Sequence, residues 1–182
     1  PWGDGKITSD PTVGDMHQWN VWHGTQEKYQ IFETLGGRFN SEFGMEAFPH
    51  IQTIQSYVSM ASEMHPQSHT LDFHNKADGH ERRIATYVIE NFRLTTDLEV
   101  SIPTSLTLSA QSPLTNQAYI HLTQLMQAEA LMFAYRGWRR QWGQKRHCGG
   151  ALVWQINDCW PGTSWSIVDY YLRKKAAYYA LS

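Results

Sequence analysis

Residues 36–49 read GGRFNSEFGMEAFP, and the reading of this stretch decides the fold. RFNSEFG is strand-like. A glycine pair opens the stretch, and Gly44 gives the chain freedom to turn. Near the end of the strand stands one carboxylate, Glu42, between Phe39 and Phe43. Glutamate is rarely buried without a partner. Glu42 is therefore a surface residue, half of a structural ion pair with Arg38 as the nearby cation, or a carboxylate held in a site.

The segments on either side repeat a strand–helix unit. DMHQWNVWHG (15–24) is an aromatic run that suits a short strand passing into a loop. The stretch up to Gly36 reads as a short helical turn. AFPHIQTIQSYVS (47–59) suits a short helix with Pro49 near its first turn. Residues 62–79 form a long polar, histidine-bearing excursion, and ERRIATYVIENFR (81–93) is a helix. The segment from Thr96 to Asn116 is broken by Pro103 and Pro113. The spacing of Leu122, Leu125, Met132 and Tyr135 predicts a long helix over 115–142. GGALVWQIND (149–158) has the continuous apolar centre of a buried parallel strand. The tail ends as a helix.

This alternation of strands and helices predicts parallel βα units. In a (β/α)8 barrel the chemistry sits at the C-terminal ends of the strands. Here three consecutive strand ends carry polar and aromatic groups: His17 to His23, Glu42, and Trp154 to Asp158. A complete barrel takes about 250 residues. The 182 residues of this chain predict the closing part of one, expected not to fold when expressed alone.

Composition narrows the function. Hydrophobic residues make up 41% and charged residues 18%, as in a globular protein. A net charge of −2 gives no electrostatic footprint for nucleic acid. No apolar run approaches the roughly 18–20 residues of a membrane span. No glycine-rich phosphate motif follows a strand. The bias is aromatic, with eight Trp, nine Tyr and seven Phe. Aromatic rings make cores, and they also make platforms for the apolar faces of sugars. His65, His69 and His74 invite a metal reading. They lie in a loop interrupted by Pro66 with no HExxH-type frame, so no metal or cofactor is expected. Arg136, Arg139, Arg140, Lys145 and Arg146 read as the solvated end of a helix. Cys148 and Cys159 lie too far apart along one strand to pair, and Cys159 is expected to be a buried free thiol.

Three blocks, GDMHQWNVWHG (14–24), GGRFNSEFGMEAFP (36–49) and ALVWQINDCWPGTSWSIVDYYLRKKAAYY (151–179), resemble the closing third of the catalytic barrel of β-mannosidases in glycoside hydrolase family 2. The resemblance implies an α/β chain forming strands six to eight of a TIM barrel with their helices, as one partial catalytic domain over 1–182. It implies hydrolysis of terminal non-reducing β-D-mannose with retention of configuration. Glu42 matches the nucleophile at the end of strand seven, with Glu46 better read as solvent-facing. His23, at the end of strand six, matches a residue that hydrogen-bonds the nucleophile. Trp154 matches the aromatic floor of the sugar subsite. Asn157, Asp158 and Trp160 fall in the pocket wall. His17 and Trp22 are counted with the substrate-binding residues.

The family's acid/base is a glutamate after an asparagine, and no Asn-Glu pair precedes Glu42. That residue is expected on the remainder of the same polypeptide. The implied partners are β-mannoside oligosaccharides or glycans, with neither nucleic acid nor membrane. The compartment is left open by the sequence, with a secreted or lysosomal/vacuolar setting placed ahead of a cytoplasmic one. Another family 2 activity, of the β-galactosidase or β-glucuronidase type, and a non-catalytic carbohydrate-binding module are the alternatives. A binding module has no need of an ionised carboxylate at a strand end.

Overall fold

In a computed structural model, residues 7–12, 14–75, 77–93, 113–143 and 148–182 are described, the side chains of 113–116 excepted. The segment from Thr96 to Gln111, with Pro103, and the pair Lys145 and Arg146 lie outside the described residues. Three short strands form one parallel sheet in the order β1 (Met16–His17), β2 (Asn40–Phe43), β3 (Ala151–Val153). His17 is in register with Glu42, and Phe43 with Val153. The ladder runs on past the strands: Gln18 N–H donates to the Glu42 carbonyl at 2.8 Å, and Trp154 N–H to the Phe43 carbonyl at 2.7 Å. The C-terminal ends of all three strands therefore lie along one rim.

The connections are helical, as the alternation predicts. A 3-10 turn (Tyr29–Ile31) and α1 (Phe32–Leu35) join β1 to β2. After β2 come α2 (Ile51–Ile54), α3 (His69–Phe73) and α4 (His80–Asn91). The long helix α5 (Pro113–Arg140) leads to β3, and α6 (Ala176–Leu181) closes the described chain. Helix α3 is capped by the Ser68 hydroxyl, which accepts from Leu71 N–H at 3.2 Å. Helix α5 begins at Pro113, where a missing N–H costs nothing.

The buried face of α5 runs through Thr123, Gln127, Ala130, Ala134 and Trp138, while Leu125 of the periodic set is exposed. The reason is what the helix packs against. Gln127 Nε2 donates to the carbonyls of Met45 (2.9 Å), Ser166 (3.1 Å) and Trp165 (3.2 Å), and Gln124 Nε2 to that of Phe48 (3.1 Å). The Thr123 hydroxyl accepts from Phe48 N–H at 3.1 Å. A face that meets irregular backbone must carry donors and acceptors, because unpaired buried carbonyls and amides are costly. The expectation of a buried β3 needs correction: Leu152 is 55% exposed. Its apolar sequence covers only one neighbour, β2, in this sheet.

The core beneath the sheet is aromatic. Phe43 meets Phe32, Tyr135 and Trp138 edge-on, with ring centroids 4.8–5.8 Å apart. Trp138 Nε1 donates to the Phe32 carbonyl at 2.8 Å, so its one polar atom is paired. Arg140 pairs with Glu33 at 2.5 Å on the surface. Both cysteines are free; Cys148 is buried and Cys159 is exposed, which corrects the expectation of a buried Cys159.

Candidate active site

Glu42 lies at the rim, half-buried. The parallel register sets His17 opposite it, and Trp19, on the chain that leaves β1, reaches the same carboxylate. Trp19 Nε1–H donates to Glu42 Oε1 at 2.6 Å. His17 Nδ1 stands 3.5 Å from that same oxygen. Among the described residues, Oε2 receives no hydrogen bond. A short N–H donation to an ionised carboxylate is among the stronger hydrogen bonds available to it. The Trp19 bond, with the His17 ring beside it, holds Oε1 and leaves Oε2 without a hydrogen bond among the described residues. Arg38 is not its partner.

His23 does not hydrogen-bond Glu42 in this arrangement. Its ring stands edge-on to Trp19, centroids 5.1 Å apart, and tilted against Trp165 at 5.7 Å. Burial, with the nearby Arg83 charge, holds its pKa below the ordinary histidine value, and the Glu42 charge only partly opposes this. His23 thus reaches Glu42 through the indole of Trp19, which it packs against. Trp165 completes the cluster, edge-on to Trp19 at 6.0 Å and to Trp22 at 6.3 Å.

Trp22, expected to touch substrate, is in the core. It is fully buried and stacked on Tyr87 at 6.2 Å, and its backbone N–H donates to the Tyr87 hydroxyl at 2.9 Å. Trp154 follows β3 directly and is 43% exposed at the rim. The peptide bond between Trp154 and Gln155 is cis. Gly44 lets the two strands come this close: a Cβ there would lie 2.2 Å from the Trp154 carbonyl oxygen. Asn157 is exposed, and its Nδ2 donates to the Asp158 carbonyl at 3.3 Å.

Asp158 is also corrected. It is buried rather than in the pocket wall, and its two oxygens accept from Ser164 Oγ (2.5 Å) and Ser166 Oγ (2.6 Å). Glu46 is not solvent-facing. It is fully buried, accepts from Asn75 Nδ2 at 3.0 Å, and burial pushes its pKa up to about 8. The buried Lys175 donates to the Ala47 carbonyl at 2.9 Å and the Ser164 carbonyl at 3.3 Å, tying the chain beyond Glu42 to the loop beyond Trp154. Burial pushes its pKa down to about 8. This layer holds the rim in place from below.

Trp19, Trp165 and Lys175 are the residues that sequence reasoning missed. For Trp19 the signal was available: it stands two residues after His17. Of the histidines weighed as metal ligands, His74 is stacked between two rings, Tyr57 at 3.9 Å and Trp160 at 5.0 Å. A different group, Asp72, His80 and Glu81, brings potential ligand atoms within 4.8 Å of one another. Hydrogen bonds from Glu81 and His80 hold the Asp72 carboxyl below its ordinary value. No helix among the described residues is long and apolar enough to cross a membrane.

No protein-family model matches the chain. Curated relatives do. The chain is 70% identical over all 182 residues to Beta-mannosidase B of Emericella nidulans, and 69% identical to Beta-mannosidase B of Aspergillus niger. It covers 20% and 19% of those proteins, so it spans about a fifth of their length. Among solved structures, a β-D-mannosidase from Dictyoglomus thermophilum superposes on 97% of this chain with a TM-score of 0.80 at 38% identity; the match covers 19% of that protein. Over its whole length, the chain is homologous to about a fifth of the proteins named β-mannosidase.

Proposed function

We propose that the chain is part of a retaining exo-β-mannosidase and supplies its nucleophile, Glu42. One observation carries this reading: a carboxylate at a parallel-strand end, with Oε1 held by Trp19 and Oε2 unpartnered among the described residues, on the same rim as an exposed tryptophan. In the reading, β1, β2 and β3 are strands six to eight of a (β/α)8 barrel. Parallel order and the gathering of the site at the strands' C-terminal ends support it.

The mechanism follows from the geometry. The terminal β-mannosyl ring lies on Trp154 with its anomeric carbon facing Glu42. Oε2 bonds to that carbon. The glycosidic C–O bond breaks, its electron pair staying on the leaving oxygen. That oxygen takes a proton from a carboxylic acid about 5–5.5 Å from Glu42, as retention requires. The acid belongs to a segment outside these 182 residues. Water then attacks the mannosyl ester, returning a proton to the same acid and freeing Glu42. The fungal relatives, named β-mannosidases and five times longer, support both the substrate and the second segment.

The test is covalent capture. The full-length polypeptide is treated with 2-deoxy-2-fluoro-β-mannosyl fluoride, whose fluorine slows the second step. Peptide mapping is expected to place the added mass on Glu42. Label on Glu46, or inactivation without label within 36–49, overturns the assignment.

A further inference from the structure

Trp160 stands at the outer end of a column of three rings. Tyr57 and His74 are stacked at 3.9 Å with planes 13° apart, and His74 and Trp160 at 5.0 Å with planes 21° apart. Tyr57 and His74 are half-buried, while Trp160 is 43% exposed. Phe73, 54% exposed, stands edge-on to Trp160 at 6.3 Å. The column is thus anchored inside and ends on an apolar surface outside.

Its parts come from two loops over the same rim. Tyr57 and His74 lie in the chain after β2, and Trp160 lies six residues beyond Trp154, after β3. The loops are clasped together. His74 Nδ1 bonds the Pro161 carbonyl at 2.7 Å; a carbonyl only accepts, so Nδ1 carries the proton. Thr163 N–H donates to the His74 carbonyl at 3.2 Å. A Cβ at Gly162 would stand 2.0 Å from that carbonyl oxygen, so glycine is what admits the clasp. Next to His74, Asn75 binds Glu46 on the continuation of the Glu42 strand. A ring held this way loses little freedom when a ligand lies on it.

We propose that the Tyr57–His74–Trp160 column is the platform for the second sugar of the substrate, the one that departs when the first is cleaved. This rests on the reading of Glu42 and Trp154 given above. An enzyme that removes a terminal sugar takes that sugar into the pocket, and the rest of the chain must leave over the rim. Sugars offer an apolar face of C–H groups to an aromatic ring. Trp160 with Phe73 supplies an exposed aromatic surface on the loop that leaves Trp154. The ligand class is a β-linked oligosaccharide with a pyranose ring next to the cleaved bond.

The test compares a substrate that has the second sugar with a reagent that lacks it, in the full-length polypeptide. For each variant, kcat/KM on β-1,4-mannobiose is divided by the inactivation constant for 2-deoxy-2-fluoro-β-mannosyl fluoride. Trp160→Ala is expected to lower this ratio by about tenfold or more, and Trp160→Phe to restore most of it. His74→Ala, which removes the backing ring, and the surface change Phe73→Ser lower it in the same sense by less. A role in folding alone lowers both constants together and leaves the ratio unchanged. An unchanged ratio in Trp160→Ala, or in His74→Ala and Phe73→Ser should Trp160→Ala not fold, overturns the platform. A parent enzyme that the fluoride does not inactivate overturns the reading of Glu42 as a retaining nucleophile, a result distinct from the first.

Discussion

Gly44→Ala is the substitution that tests most directly how the rim is built. Gly44 has no left-handed backbone to protect, since the glycines with positive φ among the described residues are 14, 79 and 143. Its obstacle is contact. The new Cβ would lie 2.2 Å from the Trp154 carbonyl oxygen and 3.2 Å from ring carbons of Trp19 and Trp165. Real Cβ atoms do not approach closer than 3.0 Å, so backbone must part by about 1 Å. The same movement strains the 2.7 Å bond from Trp154 N–H to the Phe43 carbonyl. Overpacking costs about 1–3 kcal/mol, and a weakened backbone hydrogen bond adds about 0.5–1.5 kcal/mol. The catalytic effect is larger than the stability effect. A misplacement of about 1 Å between a reacting group and its substrate platform costs on the order of 100-fold in rate. Glu42 and Trp154 stand on the two strands being forced apart.

The assay is kcat/KM on an aryl β-mannoside with the full-length polypeptide, beside a urea unfolding curve. Gly149→Ala is the control. It lies on the same ladder, where Gly149 N–H donates to the Arg38 carbonyl at 2.7 Å, yet its Cβ meets that oxygen at an ordinary 3.6 Å. It is expected to change stability by less than about 0.5 kcal/mol. Equal effects of the two substitutions, or a fully active Gly44→Ala enzyme, refute the steric argument.

Three further outcomes follow from the same layer of contacts. Trp19→Phe keeps the ring edges against His23 and Trp165 but removes the N–H on Glu42 Oε1; kcat/KM is expected to fall at least about tenfold, roughly 1.4 kcal/mol, with an unchanged melting temperature. Gln127→Leu leaves the Met45 and Ser166 carbonyls without their donor and is expected to lower stability by about 1–3 kcal/mol, read as a shift in the urea midpoint. Glu46, with its pKa raised from 4.5 to about 8, binds more protons folded than unfolded between those values, so its contribution to stability falls as pH rises through that window. Glu46→Gln is therefore expected to lose less melting temperature than the parent between pH 5 and pH 8; parallel curves for the two proteins refute the buried, protonated state.

What the sequence made legible and what it hid divide along a physical line. Strands, helices and their order came through because period and punctuation are local: Gly36 and Gly44 bound β2, and Pro113 opens α5. Glu42 was legible as the carboxylate of its block, and Trp154 as a strand-end aromatic. The partner of Glu42 was not. His23 and Trp19 are both ring donors in one run of ten residues, and only the register of β1 on β2 decides which of them faces the carboxylate. Trp22 was misplaced because a tryptophan at a sugar-binding rim and a tryptophan under it look alike until burial is known.

The polar residues were hidden for the opposite reason. Glu46 read as solvent-facing, Asp158 as pocket wall, and Gln127 and Lys175 drew no notice, because most residues of these types are on the surface. Each is buried here: Gln127 and Lys175 donate to backbone carbonyls, Asp158 accepts from two serine hydroxyls, and Glu46 accepts from the Asn75 amide. A strand-end rim whose loops turn to present side chains cannot be closed by regular sheet. The carbonyls of Met45, Ala47 and Ser166 take donors brought from elsewhere. Gln127 comes from α5 and Lys175 from the start of α6. The polar layer under the rim therefore follows from irregular chain there, and Thr123 and Gln127 stand on the buried face of α5 beside Met126 and Leu131 because they meet that chain's amide and carbonyls.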